Sequence, residues 1–238
     1  MADAVSVCDE AIERDEPILI GVVNAAKLVG MRQDAVLRRS VEEADLVVAD
    51  GMAVVWASRL LGSPLPERVA GIELFEALLG LAKQRQLSVY LLGARPEVLE
   101  QLRKRLEEIY PGAQIVGSRD GYFREEEAEE VARSIAAARP DLLFVGMPSP
   151  RKEIFLERFG TQMGARVSHG VGGSFDVLAG HTRRAPESWQ RLGLEWLFRL
   201  LQEPRRMWRR YLVTNMIFIA LVVKEIFRKS ALGSALRP

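Results

Sequence analysis

A chain of 238 residues with 48% apolar content is long enough for one substantial core plus an appendage, and its composition argues against disorder. The formal net charge of +1 hides an asymmetry: residues 181–238 hold 12 Lys and Arg against 4 Asp and Glu, whereas residues 1–180 hold 21 against 28. A basic C-terminal stretch points to an anionic partner, either lipid headgroups, a phosphorylated substrate or nucleic acid.

Residues 1–16 read as an N-terminal extension. Asp3, Asp9, Glu10, Glu13 and Glu16 precede the first apolar run, the wrong flank for a secretory signal peptide. The single cysteine, Cys8, cannot form an internal disulfide; it falls in a terminal stretch expected to be loosely ordered and suits a reducing cytoplasm.

From residue 17 to 190 short β-rich runs alternate with amphipathic stretches. Ile18–Val23, Leu46–Ala49, Ser88–Leu92, Ala113–Val116 and Leu142–Val145 are predicted as buried strands. The clearest helix runs from Glu97 to Ile109, with Val98, Leu99, Leu102, Leu106 and Ile109 at helical spacing, Pro96 before it and Tyr110-Pro111-Gly112 after it. The acidic cluster Glu125 to Glu130 reads as a solvated helix face. Such alternation predicts an α/β, Rossmann-like domain: a mostly parallel sheet with helices on both faces.

Ligands of such sheets bind where strands end and helices begin. Those ends carry Asn24-Ala25-Ala26-Lys27, Asp50-Gly51-Met52, Gly93-Ala94-Arg95-Pro96, Gly146 to Glu153, and Gly170 to Asp176. Glycine there lets backbone N–H groups approach a phosphate, and it also serves turn geometry alone.

Residues 191–238 form a basic, amphipathic helical appendage, with Arg199, Arg205, Arg206, Arg209 and Arg210 running into the uncharged stretch Tyr211 to Val223. As a helix those 13 residues reach roughly 20 Å, short of a hydrocarbon core about 30 Å thick. A helix lying in a membrane interface fits this pattern. Packing into the domain's own core, or into the seam of a homo-oligomer, remains the other reading. Trp196, Trp208 and Tyr211 beside apolar residues mark an interfacial belt rather than a nucleic-acid surface.

Several chemistries lose their support. Gly170-Val171-Gly172-Gly173-Ser174-Phe175 departs from a dinucleotide fingerprint at Phe175, where a glycine should allow close helix packing. No Gly-Lys-Ser or Gly-Lys-Thr occurs, so there is no Walker-type phosphate loop. A nucleophile elbow fails at Asp176, which stands where its second glycine belongs. No His pair, second Cys or Asp-x-Asp triplet provides a metal site, and no cofactor is expected.

Ordered segments across roughly residues 17 to 212 resemble the WecG/TagA/CpsF glycosyltransferases of bacterial surface-polysaccharide assembly. They include Asn24-Ala25, Ala49-Asp50-Gly51-Met52, Leu61 to Gly71, Asp120-Gly121-Tyr122-Phe123, Ser149 to Glu153, Gly172 to Gly180, Arg184-Ala185-Pro186 and Leu194 to Arg206. The resemblance implies an inverting, metal-independent transfer of a sugar from a UDP-sugar to a polyprenyl-diphosphate-linked sugar. The expected location is cytoplasmic, peripheral on the inner face of the membrane.

By family pattern and by chemistry Asp50 is the expected base, taking the acceptor hydroxyl's proton, with Gly51 leaving room for a sugar ring. The alternative for Asp50 is an N-cap on the helix starting at Met52. Arg68 is expected to pair with a phosphate or to tie down its loop by a salt bridge. Asn24 is expected on a sugar hydroxyl, and Asp176 with Gly172 and Gly173 on the uridine, against turn-forming roles for each. Gly93 and Glu153 complete the expected substrate contacts, and the five tail arginines are expected at the acceptor or its diphosphate.

Two positions depart from the family's common pattern: Val22 where many members have Thr, and Lys152 where many have Gln. Lost hydrogen-bonding groups alter which sugar a pocket holds, and Lys152 is expected on the UDP leaving group. The Asn24-Ala25-Ala26-Lys27 variant resembles the hexosyltransferase branch that extends a lipid-linked glucose more than the N-acetylmannosamine branch, which implies a hexose such as glucose in an exopolysaccharide or cell-surface glycan. The competing class is a non-catalytic nucleotide-sensing or assembly module that docks on membrane or nucleic acid through its basic tail.

Overall fold

The computed structural model describes residues 1–191, 193–202 and 204–235. The chain divides into two compact units: residues 1–22, 36–48 and 69–183, and residues 23–35, 49–68 and 184–238.

The first unit is built on β1 (Ile18–Val23), β2 (Leu46–Ala49), β3 (Ser88–Gly93), β4 (Gln114–Arg119), β5 (Leu142–Gly146) and β6 (Val167–Gly170). Among the described residues these make a six-stranded parallel sheet in the order β2-β1-β6-β5-β3-β4. The helices are α1 (Ala2–Arg14), α3 (Ala35–Glu42), α5 (Gly71–Arg85), α6 (Pro96–Ile109), α7 (Ala128–Ala138), α8 (Arg151–Met163) and the short α9 (Ser174–Leu178).

Residues alternate faces along a strand, so the central strands feed two cores. Val89 and Leu91 of β3, with Leu142 and Phe144 of β5, pack with Cys8 and Ile12 of α1, Leu74, Phe75 and Leu78 of α5 and Leu102 of α6. Their neighbours Leu92, Leu143 and Val145 pack with Val131 and Ile135 of α7 and Phe155 and Phe159 of α8. The predicted doubly covered, Rossmann-like α/β fold is therefore the observed one.

The sheet contains a central strand that apolar runs do not reveal. β6 reads Val167-Ser168-His169-Gly170, and its polar residues are buried: Ser168 in the sheet, and His169 with its Nε2 3.1 Å from the Gly71 carbonyl oxygen. The N-terminus also differs from expectation. It is a helix whose Cys8 is fully buried, and burial, with Asp9's charge adding to it, pushes the thiol up to about 12. Acidic α1 residues hold it down, since Asp9 and Glu13 both pair with Arg85 of α5.

The second unit is helical: α2 (Ala25–Gly30), α4 (Met52–Leu60), α10 (Glu187–Arg191), α11 (Glu195–Gln202) and α12 (Pro204–Ala235). Pro204 opens α12, where its missing N–H costs nothing. α12 packs on α2 and buries Phe218, while Leu212, Met216, Ile219, Val223 and Phe227 stay exposed. Lys229 Nζ donates to the Leu61 carbonyl oxygen at 2.7 Å, satisfying an orphan acceptor at the end of α4. Among the described residues no helix is long and apolar enough to cross a membrane.

Candidate active site

The carboxyl ends of the parallel strands carry most of the candidate residues, and each unit holds its own set. In the first unit β3 and β5 run side by side to Gly93 and Gly146, which are in register. Gly93 has φ +132°, and a Cβ there would stand 2.5 Å from the Gly146 backbone. Gly146 in turn lies under the Phe175 ring, 2.4 Å from where its own Cβ would be. Both glycines thus have a packing reason to be glycine, independent of any ligand. Phe175, which breaks the dinucleotide fingerprint, is fully buried in the core 5.7 Å from Phe75.

After β6 the chain turns through Gly172, left-handed at φ +54°, and exposed Gly173 into α9. Asp176 stands half-buried in the first turn of α9, and its backbone carbonyl accepts from the His181 and Thr182 N–H groups at 2.9 and 3.0 Å. That carbonyl closes the turn expected around Asp176.

Lys152 and Glu153 are both buried at the start of α8 and form an ion pair, Nζ to Oε1, at 2.8 Å. The lysine stem lies over Gly170, whose Cβ would come within 3.1 Å of it. Paired and buried, the Lys152 charge is largely compensated before any diphosphate arrives. Arg151, which sequence reasoning passed over, donates from Nη1 to the Gly121 carbonyl at 2.8 Å and from Nη2 to that of Phe123. Its guanidinium also sits 4.6 Å from the Phe123 ring centroid. Arg151 therefore moors the Asp120-Gly121-Tyr122-Phe123 loop while Tyr122 stays exposed.

In the second unit the Asn24 and Asp50 segments lie side by side, because the Asp50 N–H donates to the Val23 carbonyl at 2.8 Å. Asn24 is the N-cap of α2, its Oδ1 accepting from the Lys27 N–H at 2.9 Å. The turn-forming role is thus present, and the Nδ2 group adds two donors beyond it. Asp50 is not the cap of α4: that position is Gly51, with φ +118° and no side-chain capping bond. A Cβ at Gly51 would meet nothing within 4 Å, so open space adjoins the carboxylate's neighbour.

Arg68 pairs with Glu195 at the start of α11, and Arg184 Nε lies 3.7 Å from the same carboxylate. The structure therefore displays the salt-bridge role for Arg68. Glu195 was invisible as a partner because 127 residues separate the two. Of the tail arginines Arg205 is exposed, whereas the side chains of Arg199, Arg206, Arg209 and Arg210 lie outside the described residues. Among the described residues no group of three or more His, Cys, Asp or Glu is placed to hold a metal ion.

In a parallel α/β sheet of this kind the carboxyl ends of the strands, with their turns and caps, are where ligands bind. The profile of the glycosyl transferase WecG/TagA/CpsF family matches residues 1–232. A protein of Bacillus spizizenii, named N-acetylglucosaminyldiphosphoundecaprenol N-acetyl-beta-D-mannosaminyltransferase, is 41% identical over 181 residues, covering 76% of this chain and 68% of the relative. The chain belongs to the WecG/TagA/CpsF family of glycosyltransferases.

Proposed function

We propose that this glycosyltransferase moves a sugar from a UDP-sugar to a polyprenyl-diphosphate-linked sugar with inversion, using Asp50 as base and no metal ion. The observation that supports the assignment is local: Asp50 follows β2 directly, and the N-cap position of α4 is Gly51, where an added Cβ would meet open space. A base on the acceptor hydroxyl lets that oxygen attack the anomeric carbon from the side opposite the leaving UDP. The acceptor class is supported by the name of the Bacillus spizizenii relative, a transferase to a sugar on diphosphoundecaprenol.

Arg68, Arg184 and the tail arginines supply cations for the diphosphates in this reading, with Glu195 holding the first two. Asn24 and Gly51 serve the sugar; Gly172, Gly173 and Asp176 serve the uridine. Gly93 and the Lys152–Glu153 pair support the strand ends by packing. The exposed apolar side of α12 and the basic stretch before it support peripheral attachment to the inner membrane face.

The donor divides two readings. The hexose expectation rests on the Asn24-Ala25-Ala26-Lys27 variant; of the two departing positions, Val22 is buried in the core and Lys152 in its ion pair. The named relative favours N-acetylmannosamine. UDP release should be measured with UDP-glucose, UDP-N-acetylglucosamine, UDP-N-acetylmannosamine and UDP-glucuronate, each with a lipid-diphosphate acceptor in EDTA. Release with one donor, dependent on acceptor, is the expected result; a strict need for a divalent ion overturns the metal-free mechanism.

A further inference from the structure

Arg68 and Arg184 lie far apart in the chain, yet one carboxylate serves both. Glu195 Oε2 pairs with Arg68 Nη1, and Glu195 Oε1 lies 3.7 Å from Arg184 Nε. The Arg68 side chain is 13% exposed, and those of Arg184 and Glu195 are each 25% exposed. Water screens this cluster less than it screens a surface pair, so the placing of its charges has an energetic consequence.

Close backbone packing delivers the carboxylate. Gly193 turns left-handed at φ +70°, and a Cβ on it would stand 2.7 Å from Met52 Cγ. The chain entering α11 is thus pressed against the first residue of α4, two positions after Asp50. The Leu194 N–H donates to the Trp189 carbonyl at 2.8 Å, and the Trp189 and Phe198 rings meet edge to face at 5.8 Å. Glu195 follows in the first turn of α11, where the helix N-terminus also favours a negative charge.

Two guanidinium ions in one site repel each other and turn apart unless an anion holds them. A carboxylate with one oxygen for each holds both. Contact through one edge does not exhaust a guanidinium's five donors, so its fork can take a phosphate as well. Two cations fixed in advance bind a diphosphate better than two mobile ones, because the cost of ordering them is already met. Given the diphosphate role proposed for these arginines, we infer that Glu195 is a positioning residue: it touches no substrate and sets the spacing of Arg68 and Arg184 so that both meet one diphosphate. Helix α11 then shapes substrate binding through an acidic residue, independently of the basic residues of α12.

Glu195→Gln keeps the side chain's shape and removes its charge. By calorimetry it should weaken UDP binding about tenfold, while uridine, read by its displacement of UDP, binds as in wild type. Glu195→Asp, one methylene shorter, should show a smaller loss of the same sign and serves where Glu195→Gln does not fold. Tighter UDP binding overturns the inference, because Glu195 would then be an internal rival of the phosphate for the arginines. In an Arg68→Gln, Arg184→Gln background, adding Glu195→Gln should change UDP affinity less than about twofold. A full further loss there means that Glu195 acts without the arginines, and overturns it too.

Phe198→Leu tests mere support of the helix. It thins the contact with Trp189 and keeps the carboxylate, so the melting temperature should fall with UDP affinity within about twofold of wild type. If affinity falls in step with stability in both variants, Glu195 is only part of the scaffold and the inference fails. Arg68→Gln separates this inference from the reading beneath it. If Arg68→Gln leaves UDP affinity unchanged, the diphosphate assignment falls and the role of Glu195 with it; if it weakens UDP binding and Glu195→Gln does not, the role of Glu195 alone falls.

Discussion

The two ends of the parallel sheet are built on opposite principles. At the amino ends of the strands polar groups are tied to one another. Asp141, before β5, accepts from the Ser88 hydroxyl and N–H, both at 2.7 Å, and its own N–H donates to Ser88 Oγ at 2.8 Å. Arg166, before β6, pairs with Asp141 and with Asp15 ahead of β1. Four strands are thus fastened by one network. At the carboxyl ends the backbone instead closes through Gly93 and Gly146, and the chain leaves β1 into Asn24 and β2 into Asp50. One end ties its polar groups into the fold; at the other the strands lead directly into the candidate residues.

The largest contrast should come from a carboxylate at each end. Asp50→Asn keeps shape and removes the base, so UDP release should fall by about 10²–10⁴-fold with an unchanged melting temperature. Near-wild-type turnover would take Asp50 out of the mechanism. Gly93→Ala should act the other way. A methyl at φ +132° and 2.5 Å from the Gly146 backbone costs about 2–4 kcal/mol by strain and overpacking, read as a lower urea midpoint. If stability is kept and only donor binding falls, Gly93 serves the ligand rather than the strand pair.

Asp141→Asn tests the amino end. Leaving the Ser88 and Arg166 donors poorly matched should cost about 1–3 kcal/mol while activity per folded molecule is kept. Burial works to raise the Asp141 pKa, but the Ser88 bonds and Arg166 outweigh it and hold the carboxyl below its ordinary value. A group depressed in the folded state stabilises above its unfolded pKa, and that contribution is lost as pH falls through the folded value. Melting temperature should therefore drop on acidification in wild type and drop less steeply in Asp141→Asn. Parallel acid limbs would show that other carboxylates govern it.

Legibility in the sequence followed the same divide. Strands with continuous apolar runs, such as Leu142–Val145, and the helix over Glu97–Ile109 are visible because burial on one or two faces writes a period into the chain. β6 is invisible to that signal because Ser168 and His169 are buried polar residues in a central strand. Pairings of distant residues leave no local trace either, as with Arg68 and Glu195 or Asp15 and Arg166. At the candidate site the sequence offered several residues more than one role. The N-cap position before α4 is Gly51 rather than Asp50, Arg68 makes the salt bridge that was its stated alternative, and Lys152 makes one with Glu153 that the sequence did not suggest.

Asn24 is where fold and chemistry overlap, and the smallest predicted effect separates them most cleanly. Its Oδ1 caps α2, so Asn24→Ala should cost about 1 kcal/mol of stability whatever else the residue does. Asn24→Asp retains an oxygen for the cap and adds a negative charge at a helix N-terminus, which is favourable. It removes the two amide N–H donors. If Asn24 only starts the helix, Asn24→Asp should match wild type in both melting temperature and UDP release. If Nδ2 donates to a sugar hydroxyl, the melting temperature should hold while kcat/KM falls about tenfold or more. The second outcome is expected, because a cap needs only the oxygen and Asn rather than Asp, Ser or Thr occupies this strand end.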